Sequence, residues 1–515
     1  MIHNNKRIAV IGGGISGLTA SYYLMNGVGV GTSNANKYQI TLYEKNDRFG
    51  GNIKTTKLDK QHCVVEQGPR SIRAAGTGIN TLDLVNRLGL ENELIFASKK
   101  SNGKFLLLDG EIQELPSPNK LLKSIQFVIG QGIVSSFLAE PFKKVPKDVV
   151  DKPDFDESIH SFFKRRLGSR VADIFVEPMC LGIHGGDYKK LSIRACFPSV
   201  ANREISNNSL LGLNLFGEKS DKTISTIPQQ LPFLLPEKQS IKEILDKDLD
   251  KTGVFSFENG LNTLISSLVE NLRANGVKLN HSTTIQEIRT NDNGKGYKII
   301  DKDGNVEEFD QIISTIPFTS LYPMFNKSDK ALEALLRSIP YTSISVLNLV
   351  YKNNASVADK IKDKGFGYLV PSKEKVPVLG VCFDSNTFPE FIDSDKDSII
   401  TVMIGGNQGI KDRNAEWINV DAKDKDDLLN IAKKHLKKYL DIKDEPDWTN
   451  VEIYQNGIPH YEVGHQQRIR SIQSYVEKNY GDKLVLGGNA LDGVSINDSI
   501  FKSKSLVYNL LENNK

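Results

Sequence analysis

Gly12-x-Gly14-x-x-Gly17, set between a short apolar run at residues 7–11 and an apolar-periodic stretch at 18–25, restricts the fold more than any other feature. A strand, a glycine turn and a helix in that order open a doubly wound α/β unit that cradles a dinucleotide. The first glycine permits the tight turn, the second lets backbone approach a pyrophosphate, and the third lets helix pack on strand. The helix N-terminus then offers free N–H groups and the positive end of its dipole. A second strand at 38–44 ends on Glu44, a carboxylate placed to accept hydrogen bonds from the adenosine ribose. Glu44 stands further from the glycines than the ~20 residues typical of the pattern. A Gly/Asn/Ser-rich insert at 27–37, read as a surface loop, accounts for the excess.

Length and composition bound the rest. At 515 residues the chain exceeds one ordinary core, so two or three domains are expected. Its 39% hydrophobic and 25% charged residues are those of a folded soluble protein. A formal net charge of +3 gives no basic footprint over the whole chain, and no nucleic-acid partner is expected. Cys63, Cys180, Cys196 and Cys382 lie far apart with no C-x-x-C, which argues against a zinc site and a disulfide framework; no metal is expected. With a strand read from residue 7, no cleavable signal is expected. The most apolar stretch, about 124–139, contains Gln126 and Gln131 and falls short of the roughly 20 residues a spanning helix needs.

Residues 80–208 read as helical and locally apolar, broken at Pro116, Pro118, Pro141 and Pro146, with an acidic stretch at 148–157 expected as solvated loop. Leu261, Leu264, Ile265, Leu268, Val269 and Leu272 recur at helical spacing after the turn Glu258-Asn259-Gly260. Residues 277–313 alternate as short strands with turns at Asn293-Gly294 and Asp303-Gly304. The stretch 321–476 mixes strands such as 343–351 with a polar-faced helix near 426–439. A final strand at 483–487 runs through Gly488 and Gly493 into a C-terminal helix.

Two further glycine-rich segments decide between nucleotide cofactors. Arg48-Phe49-Gly50-Gly51, just past Glu44, resembles the Gly-Gly motif of the amine-oxidase-like flavoproteins, in which adjacent glycines let backbone approach the cofactor, although a plain surface turn fits those four residues alone. At the other end, Leu486-Gly-Gly-Asn-Ala-Leu-Asp-Gly-Val-Ser-Ile-Asn-Asp498 places a new helix N-terminus after a strand. N–H groups at 494–497 could be aimed at flavin N1 and O2, stabilising the anionic reduced ring. Cofactor segments at both ends make the flavin domain discontinuous. No cysteine follows Cys382, so a thioether from the C-terminal loop is excluded and non-covalent FAD is expected.

Four more segments bring a specific likeness: Glu66-Gln-Gly-Pro-Arg-Ser-Ile-Arg-Ala-Ala-Gly76, Leu191-Ser-Ile-Arg-Ala-Cys-Phe-Pro198, Gly365-Phe-Gly-Tyr-Leu-Val-Pro371 and Asn456-Gly-Ile-Pro-His-Tyr-Glu-Val-Gly-His465. Together with the two glycine-rich ends they resemble, in order along nearly the whole chain, the oxygen-dependent, mitochondrial-type protoporphyrinogen oxidases of the amine-oxidase-like FAD flavoproteins. The resemblance implies an α/β fold with α+β inserts. A discontinuous Rossmann-like FAD-binding domain (1–90, 253–318, 479–515) would receive a substrate-binding domain (211–252, 319–478) and a helical membrane-associating domain (91–210). It implies the six-electron oxidation of protoporphyrinogen IX to protoporphyrin IX, with three O2 reduced to three H2O2, the penultimate step of heme biosynthesis. The chemistry is expected at flavin N5, by hydride transfer from a meso carbon, so no side chain is assigned as catalytic base.

By carry-over, FAD contacts fall on Gly12, Gly13, Gly14, Ile15, Ser16, Gly17, Glu44, Gly51, Asn52, Gly68, Pro69, Arg70, Ser71, Ile285, Gln466, Val494, Ser495 and Ile496. At Asn52 and Gln466 relatives can carry tryptophan. Gly182, Phe366, Gly367, Leu369 and Met403 are implied to line the substrate cavity, apolar or backbone contacts suited to a large flat macrocycle. Lys104 stands where many family members place an arginine near a substrate propionate. It keeps the charge but loses the two-pronged grip.

Residues 121–142, flanked by Lys120, Lys123, Lys143 and Lys144, suit an interfacial helix pair with basic rims, with Phe127 and Val134 as the positions to charge. A helix pair buried against another subunit is the alternative. The resemblance also implies peripheral attachment to the mitochondrial inner membrane on its intermembrane-space side, a homodimer and a downstream ferrochelatase. Rival functions are a coproporphyrinogen III oxidase of the same fold, an amine oxidase or carotenoid desaturase, and a non-catalytic flavin-binding scaffold.

Overall fold

The computed structural model describes residues 5–29, 34, 37–58, 62–117, 121–152, 154–210, 253–291, 296–325, 329–406 and 419–513, apart from the side chains of 100, 121–123 and 513. The expected first substrate segment at 211–252, the Asn293-Gly294 turn, Pro118, Lys120 and positions 30–33, 35 and 36 of the insert lie outside these residues. Two compact units result. One comprises Met1–Ala97, Gln230–Ile339 and Arg468–Lys515; the other comprises Ser98–Gln229 and Pro340–Gln467.

In the first unit a five-stranded parallel sheet runs in the order Lys278–Asn280, Tyr38–Tyr43, Lys6–Ile11, Gln311–Ser314, Leu484–Leu486. Strands from the beginning, middle and end of the chain lie side by side. Ile8, Ala9, Val10 and Ile11 of the central strand are all buried, which is why it reads as a continuous apolar run rather than an alternation. Helix Ile15–Asn26 opens directly after Gly14, three residues before its apolar periodicity begins. Its Leu18 and Leu24 share one core with Leu264 and Leu268 of helix Asn262–Ala274 and with Ile500 and Phe501 of helix Ile496–Asn513. An antiparallel meander of Ile285–Thr290, Tyr297–Asp301 and Val306–Phe309 lies between the Lys278–Asn280 and Gln311–Ser314 strands in sequence.

The second unit holds a seven-stranded sheet in the order Trp448–Pro459, Tyr341–Tyr351, Ser398–Gly405, Val378–Phe383, Gly367–Leu369, Phe105–Leu108, Glu111–Glu114. All its neighbours are antiparallel except Phe105–Leu108 with Gly367–Leu369. Helix Lys425–Leu440 buries Leu428, Ala432 and Leu436 against the sheet core of Leu347, Leu349 and Val402. A separate helical core gathers Ile159, Phe162, Ala172, Val176 and Cys180.

Two local expectations need correction. The helical reading of 80–208 fails at Leu94–Phe96 and Glu111–Glu114, which are strands, as is Phe105–Leu108, which the sequence reads as a strand after the turn at Lys104. A short unbroken apolar run carries no period that separates strand from helix. The Asp109-Gly110 turn between the last two, with both residues at positive φ, is the hairpin signal that does so. At 148–157, read as solvated loop, the chain forms the short helix Lys147–Asp151 with Val149 buried. Among the described residues no helix is long and apolar enough to cross a membrane.

Candidate active site

The glycine turn meets the steric demands of its pattern. A Cβ on Gly17 would stand 1.9 Å from the Gly12 carbonyl oxygen, so only glycine lets the helix close onto the turn. A Cβ on Gly14 would meet nothing nearer than Gly51 Cα at 3.7 Å. Gly14 and Gly51 therefore line an open backbone cradle at the uncapped start of helix Ile15–Asn26, the shape and polarity a pyrophosphate fits.

Glu44 follows strand Tyr38–Tyr43 and is only 6% exposed. Its Oε2 accepts the Gly13 N–H at 2.8 Å and its Oε1 the Asn46 N–H at 2.9 Å. Each oxygen retains a further lone pair, so the two backbone bonds aim the carboxylate while leaving it able to accept from ribose hydroxyls. Glu44→Ala is expected to weaken FAD retention by about 1.5–3 kcal/mol, roughly ten- to hundredfold in Kd. Full flavin occupancy after dialysis would remove the ribose role.

Arg48-Phe49-Gly50-Gly51 is no plain turn. Arg48 donates to Ile53 O at 2.9 Å, Phe49 O at 3.2 Å and Gly51 O at 2.6 Å, while Gly50 N–H donates to Gly13 O at 2.8 Å. The guanidinium thus gathers three carbonyls of the loop and keeps it against the glycine turn. A second buried group sits ahead of Gly68, Pro69, Arg70 and Ser71. Glu66 accepts from Thr55 Oγ1 at 2.9 Å and from the Leu261 N–H at 2.6 Å, tying this segment to the start of helix Asn262–Ala274. The sequence offered a motif around each of Arg48 and Glu66 but not the partner of Glu66, which is 195 positions away.

A cavity of about 440 Å³ is lined by Ser71, Ile72, Arg73, Ala75, Gly76, Thr77 and Val254 together with Ser495, Ile496, Asn497 and Asp498. Ser495 caps the C-terminal helix: its Oγ accepts the Asp498 N–H at 3.1 Å and donates to Asp498 Oδ2 at 2.6 Å. Ser-x-x-Asp is a capping-box pattern legible in the sequence. Because the helix begins at Ile496, only the Ile496 and Asn497 N–H groups of the expected 494–497 set belong to its open first turn. Ile285 is buried at the head of its strand, Asn52 is exposed, and Gln466 belongs to the second unit, its Nε2 3.5 Å from Arg194 O.

In the second unit two of the implied substrate residues, Leu369 and Met403, share one face of the sheet. Sheet register places Leu369 opposite Gly380, Gly380 opposite Met403, and Met403 opposite Val346, one continuous cross-strand row. Gly380 leaves a dip between the two larger side chains; its Cβ would stand 3.1 Å from Leu369 Cδ2 and 3.5 Å from Met403 Cε. Gly182, on helix Glu177–His184, faces the same leucine, with Leu369 Cδ2 2.8 Å from where its Cβ would be. Tyr368 points to the opposite face, into the sheet core, as the period of two demands. Phe366 N–H donates to Ser101 O at 3.0 Å, and Lys104 and Gly367 each precede the paired residues Phe105 and Tyr368. Lys104 is exposed. All six positions therefore fall on neighbouring elements of one unit.

The chain thus pairs a parallel-sheet unit assembled from both chain ends with a second unit whose mainly antiparallel sheet bears an apolar row. Residues 15–501 match the model of the flavin containing amine oxidoreductase family. Over 532 aligned residues the chain is 50% identical to protoporphyrinogen oxidase of Dictyostelium discoideum, covering 99% of this chain and 100% of the relative. It is 31% identical to that of Schizosaccharomyces pombe over 97% of both chains. A crystal structure from Exiguobacterium, 21% identical, shares the fold at a TM-score of 0.74 over 98% of this chain and 99% of that one. The chain belongs to the protoporphyrinogen oxidases within the flavin containing amine oxidoreductase family, and FAD is its cofactor.

Proposed function

We propose that this chain oxidises protoporphyrinogen IX to protoporphyrin IX, removing six hydrogens as three O2 become three H2O2. The full-length match to the protoporphyrinogen oxidases carries the reading, and the apolar row of the second unit supports it. We assign FAD binding to the first unit and substrate binding to the sheet of the second. When bound, FAD supplies the two-electron acceptor at N5. The protein's part is to hold the Gly14–Gly51 cradle open, to fix the Glu44 carboxylate, and to offer Leu369, Met403 and Gly182 as a flat apolar bed for a macrocycle. The deciding experiment follows porphyrin fluorescence with protoporphyrinogen and coproporphyrinogen in parallel. Preference for the tetracarboxylate, or flavin-loaded protein inactive on both, would overturn the assignment.

Lys104 is the one cation proposed to meet a propionate. Lys104→Ala is expected to raise KM for protoporphyrinogen with a smaller effect on kcat, since a remote anchor contributes mainly uniform binding. Kinetics indistinguishable from the parent at low salt and subsaturating substrate would make Lys104 an ordinary surface lysine.

Membrane attachment, at the mitochondrial inner membrane facing the intermembrane space, belongs to the same reading, with a homodimer and a ferrochelatase as partners. Helices Leu121–Gly130 and Val134–Ala139 and the turn Glu140–Phe142 after them leave Ile125, Ile129, Val134, Leu138 and Phe142 exposed, most of all Ile129 at 62% and Leu138 at 69%. Such a patch is suited to an interface or a lipid surface. Two residues expected to serve it do not. Phe127 packs beside Phe175 over Leu106, Leu108 and Ile174, and the Lys143 ammonium turns inward to donate to Arg166 O at 2.9 Å. The pair to charge is therefore Ile129→Asp with Leu138→Asp. Sedimentation with liposomes should be lost while FAD stays bound; unchanged sedimentation would leave the patch to a protein partner.

A further inference from the structure

We propose that Asn497 is a positioning residue for the flavin: its carboxamide anchors the first turn of helix Ile496–Asn513 to residues Arg73 and Thr81, and so sets where the two flavin-facing stretches, 68–71 and 494–496, stand. The inference rests on the assignment of those stretches to FAD.

Asn497 is 7% exposed, and both ends of its carboxamide are used. Oδ1 accepts from Thr81 Oγ1 at 2.6 Å, and Nδ2 donates to Arg73 O at 2.8 Å. Thr81 is buried, so no solvent stands ready to replace its partner. One group must therefore accept and donate at once. Aspartate loses the donor, leucine loses both, and glutamine is a methylene too long. Beside it Thr77 Oγ1 donates to Asp498 Oδ1 at 3.0 Å. These bonds join segments more than 400 positions apart along the wall of the 440 Å³ cavity. The capping bond consumes the Asp498 N–H, and the Ser499 N–H donates to Ser495 O. The Ile496 and Asn497 N–H groups are left at the positive end of the helix, and the anchorage of Asn497 fixes their direction.

The same two helices are locked independently deeper in the unit. Lys504 Nζ lies 3.0 Å from Asp83 Oδ2, which also accepts from Arg87 Nε at 3.1 Å, and Lys504 is buried. Helices Gly78–Arg87 and Ile496–Asn513 stay packed through this ion pair when Asn497 is changed, so its loss releases the first turn rather than the fold.

The test uses full-length protein carrying Asn497→Leu, Asn497→Asp, Thr81→Val, and Asn497→Leu combined with Thr81→Val. FAD affinity is read by equilibrium dialysis, the environment of the bound ring by visible circular dichroism, and the melting temperature with and without FAD. Each single variant is expected to raise the FAD Kd by about tenfold, the worth of a lost buried hydrogen bond, and to alter the visible dichroism. The apo melting temperature should stay within a few degrees of the parent, and the combined variant should be no worse than Asn497→Leu alone, because Asn497→Leu already lacks the bond that Thr81→Val removes. Unchanged Kd and dichroism would overturn the proposal, as would a melting temperature that falls equally with and without FAD. If the parent binds FAD yet leaves protoporphyrinogen unoxidised, the functional reading fails while these measurements still decide the role of Asn497.

Discussion

Replacing Arg166 by methionine is expected to destabilise the second unit by about 3–5 kcal/mol. Arg166 is 0% exposed on helix Ile159–Leu167 and donates to Lys143 O at 2.7 Å and Asn208 O at 2.9 Å as well as to the Glu140 carboxylate. Glu204 Oε1 lies 3.6 Å from its Nε, and Arg165 bridges Glu204 to Glu157. Burial pushes the Glu140 carboxyl up, but hydrogen bonds from Leu210 N–H, Ser209 and Arg166 outweigh it and hold the group below its usual range. Methionine removes one cation and leaves Glu140 charged in a place without water. The penalty is thus that of an orphaned buried charge, not the modest net worth of the pair. Arg166→Met with Glu140→Leu should recover most of the loss. Urea unfolding of FAD-loaded protein, followed through a signal from the second unit, measures both. A loss under about 1 kcal/mol for the single variant would show the network to be dispensable. Because Lys143 and Glu140 close the exposed helix pair, the single variant should also loosen the patch that Ile129 and Leu138 present.

That network shows where sequence reading stops. The glycine turn and the Arg48 loop were legible because each works within a few residues, where spacing alone dictates geometry, and Glu44 because the dinucleotide pattern puts a carboxylate at the end of the second strand. The polar-faced helix near 426–439 was legible because one face is buried and the period shows, and the strand at 343–351 because it is a short, mainly apolar run, buried at every position after Ser343. Glu140 with Arg166, Asn497 with Thr81, and Glu66 with Leu261 are pairings across 26, 416 and 195 positions. In one sequence such a residue looks like any surface carboxylate or amide, because its role is created by the partner. The acidic stretch at 148–157 misled for this reason: Glu157 is a half-buried ligand of Arg165 at 2.6 Å, not a solvated charge. The substrate positions came from resemblance, and only sheet register brought Leu369, Gly380 and Met403 into one row. Gly380, which forms the dip in that row, carried no motif at all.

The acid side of the stability profile is expected to be set in part by His184, and His184→Phe should flatten it. His184 ends helix Glu177–His184, 3% exposed, with Phe197 edge-on at 5.7 Å and Tyr461 at 6.4 Å between ring centroids. Among the described residues neither ring nitrogen has a hydrogen-bond partner. Burial, aided by the nearby His460, pushes the imidazole down to about 4 from an ordinary 6.5. A folded value below the unfolded one means that between pH 6.5 and 4 the unfolded chain binds a proton that the folded chain refuses. Stability is then complete above pH 6.5 and falls by about 1.4 kcal/mol per unit as pH drops, reaching about 3 kcal/mol at pH 4. His435, buried beside Tyr368 and pushed down to about 3 by desolvation, adds a second slope of the same sign. It differs in that its Nε2 has Tyr368 OH as a partner at 3.1 Å. Phenylalanine at 184 keeps a ring in the aromatic cage, removes two unsatisfied nitrogens and removes the proton uptake. The variant should therefore gain about 1–2 kcal/mol at pH 7 and unfold at lower pH. Urea midpoints at half-unit steps from pH 7.5 to 4.5 test this on FAD-loaded protein. If parent and variant lose stability with the same slope below pH 6.5, the His184 imidazole is not the group that stays neutral, and the acid arm belongs to His435 and the carboxylates.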